Sequence, residues 1–242
     1  MITVNSRTHI TRLFAESVTW TDLFQLAVYF SYQGDVAKIP SWYSKAKGYS
    51  ARSDLSVSLD EMMAKMKSNT RNEIRRAMKE GCEFEIISDI DEFVPFYNSF
   101  CSSKGLNDFV NRARLEKYKH LLITKAVCKG STLAMHANIL DPEGHLGVLI
   151  LSCSQRLDLG VDRKLIGWGN RFLHYKEMEY LKAHGYTSYD WSGVVVDPED
   201  PLYSIGQFKL AFGGDLVESW TLKSPLYRLL EGVRNVLVKL RK

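Results

Sequence analysis

Cysteine is scarce in this chain. Four occur in 242 residues, at Cys82, Cys101, Cys128 and Cys153, and no two form a C-x-x-C pair. That spacing excludes a zinc knuckle and a disulfide framework and fits a reducing compartment. Long hydrophobic runs are missing too, with nothing near the roughly 20 apolar residues of a membrane span. The opening MITVNSRTHI lacks the basic and apolar stretches of a signal peptide. The expectation is therefore a cytoplasmic protein. Charge of one sign is not in excess: the net value of +4 is too mild to argue for nucleic acid, although it suits a protein handling phosphorylated ligands. No Ser-His-Asp order, H-E-x-x-H, EF-hand or Walker motif occurs, so no metal and no nucleophilic hydrolase chemistry is expected. What remains is ordinary for a globular fold, with 45% hydrophobic and 25% charged residues and room for one sizeable domain plus an extension.

The most informative stretch runs from Lys164 to Gly193, KLIGWGNRFLHYKEMEYLKAHGYTSYDWSG. It reads as a glycine-rich loop, a helix ended by Gly185, and a strand over 186–191 with Asp190 near its end. Lys164, Gly167 and Gly169 form K-x-x-G-x-G; placed before a helix, such a loop offers free N–H groups to an anion at the positive end of the dipole. Asn170 and His174 share a helix face. Upstream, Ser58 and Glu61 form a capping box, and a second helical segment ends at Gly81. Along it Arg71, Arg75 and Lys79 recur every fourth residue, as a phosphate clamp or a solvated face. A strand is expected over 82–87, a helix over 91–104 and a shorter helix over 114–122. Three strands follow, over 122–128, 133–140 and 146–153, turning at Lys129-Gly130 and Glu143-Gly144. In the first 55 residues only Leu26 to Tyr32 suggests a strand, and Pro40 to Tyr43 reads as a loop.

GNRFLHYKEMEYLKAHGYTSYDWSG, then FKLAFGG at Phe208 to Gly214, together with MKSNTRNEIRRAMKEG at Met66 to Gly81, resembles the Fem-type (FemAB-like) branch of the GNAT acyltransferase superfamily. The resemblance spans roughly Leu55 to Leu222 in family order. It implies an α/β fold with a mixed, largely antiparallel sheet flanked by helices, and an acyl donor received by the loop from Ser154 to Gly169. The expected division is an extension over 1–55, a GNAT-like domain over 56–224 and a helix over 225–242. The extension is shorter than the additional GNAT-like domain of tandem Fem-type transferases. The expected reaction is therefore N-acylation of an amino sugar or lipid-linked glycan precursor by acyl-CoA, acetyl-CoA in particular. The alternatives are aminoacyl transfer from charged tRNA to a peptidoglycan precursor, and a non-catalytic binding domain.

Lys164, Gly167, Gly169 and Asn170 are the candidate donor-binding residues. Asp190, His174 and Lys209 are the candidate catalytic ones. A carboxylate at a strand end orients an amine or takes its proton, and histidine titrates near neutrality. A lysine in the FK-x-x-FGG motif meets a phosphate or stabilises a tetrahedral intermediate, a role the resemblance implies. Arg71, Arg75, Arg171, Ser192, Gly193 and Tyr203 complete the set as candidate acceptor contacts. Finally, Leu226, Leu229, Leu230, Val233, Val236, Leu237 and Leu240 form one apolar helix face, while Arg228, Arg234, Lys239, Arg241 and Lys242 make the rest basic. Such a helix either docks on its domain or lies on the anionic inner leaflet of a membrane.

Overall fold

A computed structural model describes residues 1–6, 8–155 and 162–240. Residues 156–161 of the expected donor loop lie outside the described residues, as do Arg241 and Lys242 and the side chains from 235 onward. The chain forms two compact units, each discontinuous in sequence: Met1–Ser50, Gly193–Tyr203 and Leu216–Lys242 make the smaller, and Ala51–Ser192 with Ser204–Asp215 the larger. The division expected at 55 and 224 follows the chain, whereas these units do not.

In the smaller unit, β1 (Ile2–Asn5) pairs antiparallel with β2 (Ile10–Leu13), and β2 runs parallel to β3 (Ala27–Tyr32). The last strand, β10 (Asp215–Lys223), pairs antiparallel with β3, Lys223 opposite Val28. Ala27, Tyr29, Tyr32, Tyr43 and Leu222 build its core. Within that core the buried Asp22 carboxylate accepts from Arg12 Nη2 at 2.8 Å and from the Tyr29 hydroxyl at 2.5 Å. Among the described residues, no helix is long and apolar enough to cross a membrane.

The strand β4 (Ser44–Asp54) passes from one unit into the other at Ser50. Its sequence, SKAKGYSARSD, is poor in β-branched residues and shows no apolar alternation, so it is invisible to sequence reasoning; pairing with flanking strands forms it.

The larger unit opens with α1 (Leu59–Lys65), held by the expected capping box at Ser58 and Glu61, and α2 (Ser68–Lys79). After β5 (Glu83–Ile87) come α3 (Ile90–Lys104), ended by Gly105 at φ 64°, and α4 (Arg112–Leu115). The helix expected over 114–122 shrinks to this single turn, since β6 already begins at Leu121. A meander of β6 (Leu121–Cys128), β7 (Ser131–Asp141) and β8 (Leu146–Ser154) follows. The β6–β7 turn places Lys129 at φ 53° and Gly130 at φ 77°, the left-handed pair of a tight hairpin. Then α5 (Arg163–Ala183) crosses over to β9 (Ser188–Val194), parallel to β8, and α6 (Tyr203–Leu210) closes the unit.

The strand order here is β4-β9-β8-β7-β6-β5, antiparallel from β8 to β5. This is a mixed, largely antiparallel GNAT-like sheet flanked by helices. Among the described residues, two clusters lie against it. Phe93, Tyr97, Cys101 and Leu115 pack with Met135 and Leu151, while Ala77, Leu133, Ile166, Phe172 and Leu173 pack where α5 and α2 meet the sheet.

Candidate functional site

The site belongs to the larger unit and begins with α5. Its first residue is Arg163, so Gly167 and Gly169 sit inside the helix rather than in a loop before it. Asp162 is the N-cap, its side chain accepting from Lys164 N at 2.9 Å, which places a carboxylate where the K-x-x-G-x-G reading put an anion. A Cβ on Gly169 would stand 2.5 Å from Leu133 Cδ1, so this glycine serves close packing of α5 on β7. Gly167 has open space beside it and faces a cavity instead.

That cavity, about 590 Å³, is lined by Gly167, Asn170, Arg171 and His174 from α5, by Ser152 and Ser154 from β8, and by Trp191 from β9. Phe208 and Lys209 of α6 and Phe100 of α3 close it. Aromatic walls with a few converging polar groups are typical of a small-ligand site. His174 is 1% exposed, stacked 4.0 Å from the His136 ring and enclosed by Trp191, Phe208 and Phe212 at 4.8, 5.7 and 5.5 Å. Burial first, and the neighbouring His136 second, pull its pKa down to about 3, so the imidazole is neutral. Burial likewise brings Lys209 down to about 8, against the opposing pull of the Asp190 carboxylate. The lysine is thus mostly cationic at neutral pH and turns to amine in the mildly alkaline range.

Beneath His174 lies a network centred on Glu177, which is fully buried. Its Oε1 accepts from Thr124 Oγ1 at 2.5 Å and Asn138 Nδ2 at 2.8 Å; its Oε2 accepts from Tyr189 OH at 3.1 Å and lies 3.0 Å from His136 Nδ1. Burial opposes ionisation, but the neighbouring His136 and its hydrogen bond lead the effects that outweigh it, so Glu177 stays below the usual carboxylate range. His136 Nε2 in turn meets Asn170 Oδ1 at 3.0 Å. His136, His174 and Glu177 offer three ligand atoms within 4.8 Å of one another. Four donors reach Glu177 and both His136 nitrogens are engaged, which makes a hydrogen-bond network of the group, while His174 Nδ1 is buried without a hydrogen-bond partner among the described residues. The sequence carries a signal for it: Asn170, His174 and Glu177, at i, i+4 and i+7, put polar groups on the same helix face as the buried Ile166, Leu173 and Leu181.

The structure gathers Gly167, Asn170, Arg171, His174 and Lys209 around one cavity and distributes the other expected residues elsewhere. Asp190 is buried within β9 rather than at its end; Oδ2 takes Arg52 Nη2 at 3.1 Å and Oδ1 takes Ser192 N at 2.8 Å. It reaches the cavity through its field on Lys209. Arg171 is ion-paired with Glu73 at 2.9 Å and stacks over Phe208 at 5.0 Å. Arg71 donates to the carbonyls of Ala64, at 3.1 Å, and Met66, closing the end of α1 instead of clamping a phosphate. Arg75, midway along α2, and Lys164, in the first turn of α5, are exposed. Ser192, at φ 61°, donates its hydroxyl to Leu149 O. Gly193 and Tyr203 belong to the smaller unit.

No family model matches the chain. A lipid II:glycine glycyltransferase of Staphylococcus aureus (strain USA300) is 35% identical over 77 residues, a stretch covering 29% of this chain and 18% of that protein. Among solved structures, a C-terminal domain from Agrobacterium fabrum, named for a lysylphosphatidylglycerol synthetase, aligns over 94% of this chain and 83% of its own, with TM-score 0.64 and 12% identity. FemX aligns over 80% of this chain and 66% of its own, with TM-score 0.59 and 14% identity. L-PGS from Bacillus licheniformis covers 98% and is covered over 84%, with TM-score 0.58 and 12% identity. The chain has a GNAT-like fold, and its likenesses in sequence and in fold lie in the Fem-type branch.

Proposed function

We propose that this chain is a Fem-like transferase that moves an aminoacyl group from a charged tRNA to an amine on a cell-envelope precursor. The observation that carries the reading is the aromatic-walled cavity holding a neutral imidazole and a lysine with a pKa of about 8. The acyl-CoA donor expected from the short N-terminal stretch gives way to the aminoacyl donor, because the likenesses to a lipid II glycyltransferase and to FemX favour it. The chemistry is aminolysis of an ester: the acceptor nitrogen bonds to the carbonyl carbon, the C–O bond to the ribose breaks, and the proton leaving nitrogen passes to the departing oxygen. The books balance without a resting base. His174, held neutral, offers an uncharged hydrogen-bonding surface, and Lys209 in its cationic form steadies the tetrahedral oxyanion.

The test is a transfer assay with lipid II as acceptor and, separately, aminoacyl-tRNA or acetyl-CoA as donor, read by mass spectrometry. Addition of an aminoacyl mass from tRNA is expected. Product from acetyl-CoA alone would overturn the choice of donor, and no product from either would overturn the transferase reading.

A further inference from the structure

The smaller unit wears its C-terminal helix the wrong way round for a packed helix. In α7 (Pro225–Leu240), Tyr227 meets the His9 ring edge-on at 5.7 Å, Glu231 pairs with Lys223 at 2.7 Å, and Arg228 Nη1 donates to Trp42 O at 3.2 Å. Tyr227 and Glu231, four residues apart, mark the face turned to the unit. The apolar face is the one left outside, with Leu226, Leu229, Leu230 and Val233 exposed by 40%, 66%, 50% and 50%. A terminal helix docked by hydrophobic burial would show the opposite pattern. Beside α7, the 3-10 turn Trp20–Phe24 exposes Trp20 and Phe24 by 82% each, an extreme value for large aromatic side chains.

We infer that this face binds the surface of an anionic bilayer, α7 lying in the interface with its leucines down and Trp20 and Phe24 beside it. Charge selects that occupant. Residues 225–242 carry five basic residues against one acidic residue, Glu231, and Arg234 is exposed at a flank of the apolar face. A second copy of the chain would bring these like charges together. Anionic headgroups would neutralise them, while tryptophan and phenylalanine favour the boundary between headgroup and acyl chain. Membrane binding of this kind is independent of the transfer reaction and is measured apart from it.

Vesicle co-sedimentation of the full chain decides the matter, using phosphatidylglycerol–phosphatidylcholine and pure phosphatidylcholine vesicles at low and high salt. Binding to the anionic vesicles is expected, weakened about tenfold or more by 0.5 M salt and by Leu229→Asp/Leu230→Asp. Both substituted positions are solvent-exposed, so the variant retains the wild-type melting temperature and separates lost binding from lost folding. Absence of wild-type binding to anionic vesicles, equal binding to neutral ones, or an unaffected double variant would each overturn the assignment. A lipid-free dimer dissolved by the same double substitution would also overturn it, giving the face to a second copy.

Discussion

At the scale of single residues, Lys209 is the group whose chemistry the surroundings alter most usefully. Its ordinary pKa near 10.5 falls to about 8 through burial, with Asp190 resisting the shift. The cation therefore prevails near pH 7 and gives way to the amine above about pH 9. If the cation stabilises the oxyanion, transfer declines on the alkaline side with an apparent pKa of about 8. Lys209→Arg holds its charge throughout, so its profile stays level across that range, while Lys209→Met loses roughly 10²-fold in kcat near pH 7 and shows no alkaline decline of its own. A pH–rate profile of the three proteins checks this. A wild-type rate that is flat from pH 7 to 10 would remove Lys209 from the reaction. The residue stood out in the sequence through the FK-x-x-FGG resemblance; its burial, and hence its titration, did not.

At the scale of elements, α5 carries most of the site, and its two glycines have separate jobs. Gly169→Val drives a side chain into Leu133 on β7, overpacking worth about 1–3 kcal/mol or more of lost stability. Gly167→Ala meets nothing nearer than Arg171 Nη1 at 3.9 Å and replaces a poor helix former by the best. It should stabilise the fold by up to about 1 kcal/mol while narrowing the cavity it lines. Thermal melts of both variants, with transfer kinetics of the second, test the distinction. Equal melting temperatures would refute the packing role of Gly169. The pattern K-x-x-G-x-G was legible as glycines before a helix. That the helix starts four residues before Gly167 was not, because glycine tolerates either conformation and the N-cap aspartate decides.

At the scale of the whole molecule, the buried His174 and Glu177 tie global stability to pH in one direction. His174 falls from its ordinary 6.5 to about 3, so the unfolded chain binds a proton that the folded chain refuses. Its contribution is complete above about pH 6.5 and drains away as pH falls toward 3. Glu177, also depressed, adds to the loss below its ordinary 4.5. Between pH 6.5 and 4.5 the histidine alone costs about 2–3 kcal/mol. Denaturant titrations across that interval should show stability falling with acid in the wild type and a shallower fall in His174→Gln. Identical slopes would mean the imidazole takes up its proton in the folded state.

The sequence by itself determined the order of the meander, the Lys129-Gly130 turn, the capping box at Ser58 and the long helix through His174. These rest on local period and turn chemistry, which neighbouring residues supply. It also placed the basic, amphipathic tail. Tertiary structure decided the rest. It made a strand of SKAKGYSARSD, since pairing partners rather than propensity hold that backbone. It joined His136, Asn138 and Glu177 into one network across β7 and α5, a convergence of residues 39 to 41 positions apart that no local spacing records. And it turned Leu226, Leu229 and Leu230 of α7 outward, because a helix's period shows which residues share a face while only its packing shows which way that face looks.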